Sequence, residues 1–319
     1  MLKHVTTRGC SLCCSRELHT ANRLIYPAST RPRRALATAF LVQTEGPEQH
    51  APQQLEQQKP AKKTKPRPPA PTIVTTATDV SDATLWDNAA ILVDKPQDWT
   101  SMDVCGKLRN VLRYTLPLVN GKRKKLAVGH SGTLDPLATG LLIVGVGKGT
   151  KSVDSFQAQE KEYSGVLRLG QGTPSYDSAL PVSEEAPWEH LTNDQLQEAA
   201  RSFLGDIMQL PPMYSAVKIK GEELYKAARR GEEVERVRRP VSVSVFDLCR
   251  QQPGSQDVAY RIVCSKGTYV RALIHDLGQK VGSAAHVRTL RRDRIGAYLV
   301  KDAWPLHDLI ERARAREAA

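Results

Sequence analysis

Val128-Gly129-His130-Ser131-Gly132-Thr133-Leu134-Asp135-Pro136-Leu137-Ala138-Thr139-Gly140 sets one acidic side chain among three glycines, a proline, a histidine and three hydroxyl residues. It runs straight into the apolar stretch Leu141-Leu142-Ile143-Val144. Glycine lets backbone come close to a ligand, while Pro136 fixes its own φ and restricts Asp135 before it. A loop so built holds a carboxylate in a set direction at the mouth of a strand, which is the layout of a catalytic loop. By itself Asp135-Pro136 also reads as an ordinary turn, so the decision rests on the rest of the chain.

Outward from the loop, strand and helix signals alternate. Upstream, Ala89-Ala90-Ile91-Leu92-Val93-Asp94 reads as a buried strand ending at Lys95-Pro96. A helix follows from a hydroxyl cap at Thr100 or Ser101, with Val104, Leu108, Val111 and Leu112 at helical spacing. Gly121-Lys122-Arg123-Lys124-Lys125 places four basic residues just ahead of the loop, as a solvated face or a phosphate contact. Downstream, 141–146 is a strand, and Lys161-Glu162-Tyr163 opens another in which Tyr163, Gly165, Leu167 and Leu169 share one face. Gly170-Gln171-Gly172-Thr173 breaks it, and Asp177 follows in a Ser-Tyr-Asp turn.

The helix expected over 193–204 has a capping box in Thr192 and Gln195 and a staple in Leu191 and Leu196. Its buried stripe is Leu196, Ala199, Ala200, Phe203 and Leu204, and Gly205 stops it. Val241, Val243 and Val245 alternate in a strand, 259–264 reads as its partner, and 304–316 as a closing amphipathic helix. In Lys266-Gly267-Thr268-Tyr269-Val270-Arg271-Ala272-Leu273-Ile274-His275-Asp276-Leu277-Gly278 a strand end, a turn and a helix follow one another. Tyr269 and Arg271, two apart, point into one site if the chain is extended there.

Several of these stretches, taken in order, resemble the motifs of the TruB family of pseudouridine synthases, which isomerise a uridine in the T-loop of transfer RNA. They are Asp94-Lys95-Pro96-x-x-x-Thr100-Ser101, the loop from Gly129 to Gly140, and Lys161-x-Tyr163 with Leu169-Gly170-x-x-Thr173 and Asp177. Gln209-Leu210-Pro211-Pro212-Met213-Tyr214-Ser215-Ala216-Val217-Lys218, Gly221-x-x-Leu224-Tyr225-x-x-Ala228-Arg229-x-Gly231, the stretch from Lys266 to Gly278, and Ala285-His286-Val287-Arg288-Thr289-Leu290-Arg291-Arg292-Asp293-Arg294-Ile295-Gly296 complete the set. The resemblance covers roughly residues 89–306. One departure is Asp98, where the family usually has Gly.

The resemblance implies an α+β fold: a mixed, largely antiparallel central sheet flanked by helices, an active cleft across its middle, and no clear C-terminal RNA-binding domain. Asp135 is then the catalytic carboxylate and Arg271 its partner. Tyr163 stacks on the base or moves a proton, and Tyr269 shapes the pocket. The expected substrate-binding residues are His130, Lys95, Lys161, Asp177, Leu290 and Arg292. Of these, His130 props the gap left by the displaced base and Leu290 lines the base pocket, with arginines beside it.

Pseudouridine formation breaks the N-glycosidic bond, turns the uracil and rejoins it through carbon. Nothing is oxidised and nothing leaves, so neither metal nor cofactor is expected, and one positioned carboxylate serves as nucleophile or base toward the sugar or the ring. The expected partner is the T-arm of a tRNA, with the uridine flipped out at a cost of about a few kcal/mol. The chain is expected to act as a monomer, with no obligatory protein partner and no membrane. Two other readings stay open. One is a non-enzymatic RNA-binding or RNA-folding protein on the same scaffold, which does not need Asp135, Tyr163 and Arg271 together. The other is a hydrolase using Ser131, because Gly129-His130-Ser131-Gly132-Thr133 matches a nucleophile elbow except at its fifth position. A guided ribosomal-RNA modifier, with partner proteins and a guide, is a milder variant of the main reading.

The chain has 319 residues and a net charge of +12, which favours a polyanionic partner. Residues 1–80 carry 12 Lys/Arg against 5 Asp/Glu, leaving 34 against 29 for the rest, so RNA binding must rest on local patches. Residues 1–43, Arg-rich and nearly free of acids at their start, read as an organelle transit peptide directing the chain to mitochondrion or chloroplast. Residues 44–84, rich in Gln, Pro, Lys and Thr, read as a disordered linker, and 85–319 as the catalytic domain. Cys10-x-x-Cys13 lacks the second pair a zinc site needs, and the six cysteines are expected to be reduced. No apolar run approaches the roughly 18 residues of a membrane span.

Overall fold

The computed structural model describes residues 69–315 apart from 124, 251 and 253. The expected transit peptide, the first part of the linker and Cys10, Cys13 and Cys14 lie outside them. The frame is one mixed sheet, built from β1 (Thr72–Val74), β2 (Asn88–Lys95), β3 (Val128–His130), β4 (Thr139–Gly147) and β5 (Lys161–Leu169). It is completed by β6 (Gly205–Gln209), β7 (Arg239–Cys249), β8 (Asp257–Cys264) and β9 (Ala285–Ile295). Their order is β1-β2-β4-β9-β5-β8-β7-β6, with β3 beside β4. β1–β2 and β4–β9 pair in parallel, and every other neighbouring pair is antiparallel. This is the mixed, largely antiparallel sheet that the sequence predicts.

Ala89 to Val93 are all buried because both faces of β2 are covered. One face lies under α1 (Ser101–Thr115) and the C-terminal α4 (Leu306–Ala315), the other against Phe156 and Ile295. In α1, Thr100 Oγ1 accepts from Asp103 N at 3.0 Å and Asp103 Oδ2 accepts from Thr100 N at 2.9 Å, a complete capping box. The predicted stripe of Val104, Leu108, Val111 and Leu112 is its buried face. The other half of the sheet is covered by α2 (Asn193–Arg201) and α3 (Val270–Lys280), over Tyr163, Leu167, Leu169 and Val258. Gly140, Arg292 and Tyr163 stand abreast across β4, β9 and β5, so their side-chain directions leave the same face. The two helical layers therefore flank a cleft above the middle of the sheet.

Four expectations need correction. The folded part does not begin at residue 85: Thr72-Ile73-Val74 pairs with β2, and Val74 and Val80 are buried. A short β-branched run finds a sheet edge there despite its Pro- and Lys-rich surroundings. The helix from 193 ends at Arg201, because Gly205, at φ +84°, opens β6 instead of stopping a helix, and Leu204 is left 42% exposed. The alternation in β7 breaks at a bulge between Val243 and Val245, after which Phe246 takes the buried position. The closing helix spans Leu306–Ala315, and Trp304–Pro305 pairs with β2 instead.

Candidate active site

Asp135 is presented by the loop between β3 and β4, and the loop is pinned at several points. Leu134 and Ala138, on either side of Asp135, are 3% and 1% exposed and belong to the core under α2 and α3. Burying a side chain such as Leu134 is worth roughly 1.5–3 kcal/mol, so the loop resists leaving. Ser101 Oγ accepts from Leu134 N at 2.8 Å. Pro136 O accepts from Asp98 N at 2.9 Å and from Lys95 Nζ at 3.2 Å. Asp98 takes φ +65°, the left-handed turn a glycine would supply, so that departure from the family pattern leaves the turn intact.

Arg271, at the start of α3, meets the carboxylate from behind. Its Nε donates to Asp135 Oδ2 at 2.9 Å and its NH2 to Asp135 Oδ1 at 3.1 Å, a bidentate pair. NH1 donates to Ser175 O at 2.7 Å and NH2 also to Tyr214 O at 2.9 Å. The guanidinium is thus fixed by three separate segments. Tyr269 has extended backbone, whereas Arg271 is already helical, and both side chains border one cavity, as expected of an extended approach. Tyr269 is the N-cap of α3, clamped by Gln209, whose Oε1 accepts from Tyr269 N at 2.8 Å and whose Nε2 donates to Tyr269 O at 3.0 Å.

Asp135, Tyr163, Tyr269, Arg271, Lys161, Leu290 and Arg292 all border one cavity of about 430 Å³. Its rim adds Lys218, Arg239 and Lys266; the first and last stand within the quoted motifs without a role assigned, and Arg239 carried no signal in the sequence. Lys161 is buried, which lowers its pKa to about 8, with Arg292 acting in the same direction. Burial pushes the hydroxyls of Tyr163 and Tyr269 upward, so both stay protonated at neutral pH. Arg292 lines the cavity and also braces the loop, donating from Nε to Leu141 O at 2.7 Å and from NH2 to Gly132 O at 3.2 Å.

Three residues expected to contact substrate do not line the cavity. Lys95 is fully buried and gives its three protons to Pro96 O, Trp99 O and Pro136 O, so it holds the loop and does not border the cavity. Asp177 is buried behind Arg271, its Oδ2 3.7 Å from Nε and its Oδ1 accepting from Ser175 Oγ at 2.6 Å. His130 stands beside the cavity, half-buried, with Nδ1 accepting from the cavity-lining Gly132 N at 3.3 Å. Burial lowers its pKa, with Arg292 adding to the effect. Ser131 is fully buried on a strand-to-strand loop, not on a strand-to-helix elbow, which removes the hydrolase reading. Among the described residues, no three His, Cys, Asp or Glu side chains converge to hold a metal ion.

The sheet and cleft are those of the pseudouridine synthases. A chain in the crystal structure of a Cbf5-Nop10-Gar1 complex superposes with a TM-score of 0.50 at 28% identity, over 70% of this chain and 53% of that one. This chain thus spans about half the length of that solved protein. The profile of the TruB family pseudouridylate synthase N-terminal domain matches residues 120–270, and that of the tRNA pseudouridylate synthase B C-terminal domain matches 271–318. The tRNA pseudouridine synthase B of Flavobacterium johnsoniae is 42% identical over 217 residues, 68% of this chain and 92% of the relative. That of Parabacteroides distasonis is 44% identical over 203 residues, 64% of this chain and 83% of the relative. The chain belongs to the TruB family of pseudouridylate synthases, which are RNA uridine isomerases. Within 271–315, the second matched region supplies α3, β9 and α4, all built into this one sheet and its helical cover.

Proposed function

We propose that this chain converts the T-loop uridine of an organellar tRNA to pseudouridine, with Asp135 as nucleophile on a flipped-out base. The observation that carries the reading is the bidentate Asp135–Arg271 pair on the wall of the cleft, with its carboxylate edge open to the cavity. Asp135 bonds to the nucleotide, the N1–C1′ bond breaks, and the freed uracil turns within the cavity. C5 then bonds to C1′, Asp135 is released, C5 gives up its hydrogen as a proton and N1 carries one in its place. Tyr163 and Leu290 enclose the ring, and Tyr269 closes the far wall.

Arg239 and Lys266 at the rim, with Lys161 deeper in, supply positive charge for the flanking phosphates. His130 props the space that the base leaves in the T-loop. The cavity suits a nucleoside that has left its stack, and its walls replace the stacking that flipping gives up.

Tritium release from a tRNA transcript carrying uridine tritiated at C5 tests the reading, since C5 loses its hydrogen only on bonding to the sugar. The chain should release tritium and Asp135→Asn should not, with RNA affinity kept within roughly a factor of a few because phosphate contacts are untouched. Release by Asp135→Asn at the parental rate would remove Asp135 from the chemistry. The Arg-rich, acid-poor start of residues 1–43 supports delivery to mitochondrion or chloroplast. Fusing that segment to a fluorescent protein tests this, and a signal that stays in the cytosol would refute it.

A further inference from the structure

The turn carrying Ser175, Tyr176 and Asp177 lies against α3, which grips it with two side chains one helical turn apart. Arg271 NH1 donates to Ser175 O at 2.7 Å. His275, four residues further on and so on the same helix face, stacks on Tyr176 with ring centroids 3.9 Å apart and planes 9° from parallel. Tyr176 itself takes φ +63°, the left-handed region, where a bulky side chain is a genuine outlier. Two backbone bonds frame it: Tyr176 N donates to Thr173 O at 3.1 Å and Val287 N to Tyr176 O at 3.0 Å.

A non-glycine residue stays in that region only where its surroundings over-determine it. Relaxing φ of Tyr176 would rotate the peptide plane before it and swing Ser175 O off Arg271. The same movement would disturb Asp177, whose carboxylate takes the Ser175 hydroxyl and faces Arg271 Nε. The guanidinium plane is set by Asp135, Ser175 O and Tyr214 O together. With the Ser175 anchor gone it is free to turn, and the paired carboxylate of Asp135 turns with it.

We propose that Tyr176, stacked on His275, is a positioning residue for the isomerisation: it locks the left-handed turn that fixes Arg271 and, through Arg271, aims Asp135. The proposal rests on Asp135 being the nucleophile. Tyr176 is not among the residues that border the catalytic cavity, and its hydroxyl forms no hydrogen bond among the described residues. The device is therefore the ring and the backbone, not the phenol.

The test is steady-state tritium release over a range of tRNA concentrations, with the full chain and its variants. Tyr176→Phe should stay within about twofold of the parent in kcat and KM. Tyr176→Ala and His275→Ala should each lower kcat roughly ten- to a hundredfold at a KM within about twofold, since misaimed reacting groups cost rate and not binding. The double alanine variant should be no slower than the slower single variant, because both changes release one stack. Parental kcat in Tyr176→Ala would overturn the proposal. So would a loss seen only in KM, which would make Tyr176 an RNA contact, or an equal loss in Tyr176→Phe. Should Tyr176→Ala not fold, His275→Ala decides by the same split between kcat and KM. Asp135→Asn is run alongside: activity there sinks the nucleophile itself, whereas a dead Asp135→Asn beside a fully active Tyr176→Ala sinks only the positioning role.

Discussion

Arg271 and Asp135 are paired along the full width of the carboxylate, but unequally buried: the Arg271 side chain is 5% exposed and that of Asp135 34%. The positive partner is sealed inside the fold while the negative one keeps an open edge toward the cavity. A buried guanidinium that loses a carboxylate partner is costly, so the acid at position 135 also supports the fold, with Asp177 Oδ2 still 3.7 Å from Arg271 Nε. Stability and chemistry thus draw on the same pair.

Arg271→Lys replaces a planar fork by a single point charge and leaves Ser175 O and Tyr214 O without their donor. The expected result is a fall in kcat of about a hundredfold, from misdirection of Asp135. Stability should drop by about 3 kcal/mol in a urea titration. Parental turnover would show that charge alone is enough.

Lys95 gives a pH-dependent prediction. Burial brings its pKa from the ordinary 10.5 down to about 8, against the upward pull of Asp135 and Asp98. Below pH 8 the amine is charged in the folded and unfolded chain alike, and the whole cost of burying that charge is present. Between 8 and 10.5 the unfolded chain binds more protons than the folded one, so the contribution of this group to stability rises with pH. Lys95→Met lacks that dependence. Measured against it by urea titration, the parent should gain stability between about pH 7 and about pH 10, and a constant difference would contradict the burial.

Gly140→Ala should be among the most damaging small changes. Gly140 has φ +103°, and a Cβ there would sit 2.3 Å from Arg292 O and 2.7 Å from Arg292 N, backbone atoms that cannot step aside. A loss of about 3 kcal/mol or more is expected, together with loss of activity as the loop shifts. A variant that melts with the parent would show that β4 and β9 can separate at no cost.

Ser131→Ala should be silent or slightly stabilising. The hydroxyl is buried without a hydrogen-bond partner, so its removal relieves an unmatched polar group. Turnover should stay within about twofold, and a fluorophosphonate probe should leave the parent unlabelled. Labelling at Ser131 would bring back a hydrolase.

The elements that local physics controls were legible in the sequence. The hydroxyl cap at Thr100, the capping box at Thr192 and the alternation through Tyr163 depend on residues a few positions apart, and the structure has them as expected. The pairing of Asp135 with Arg271 spans 136 residues, so no local pattern reports it, and it came through resemblance alone. The burial of Lys95 was illegible for another reason. A lysine after a strand looks the same whether it meets phosphates or three backbone carbonyls, and only the converged turn decides. Tyr176 gave no signal either, because its left-handed conformation is imposed by α3 and β9, which arrive about 100 residues later.

The parallel joint between β4 and β9 has two register pairs, whereas β9 meets β5 in nine and β2 meets β4 in eight. The backbone ladder is short along this line, and the Arg292 side chain bridges it, reaching from β9 to Leu141 O and Gly132 O. Asp135 and Arg271 face each other across that line. The bidentate Asp135–Arg271 pair and the two Arg292 bonds are thus side-chain ties across a seam where the backbone supplies few.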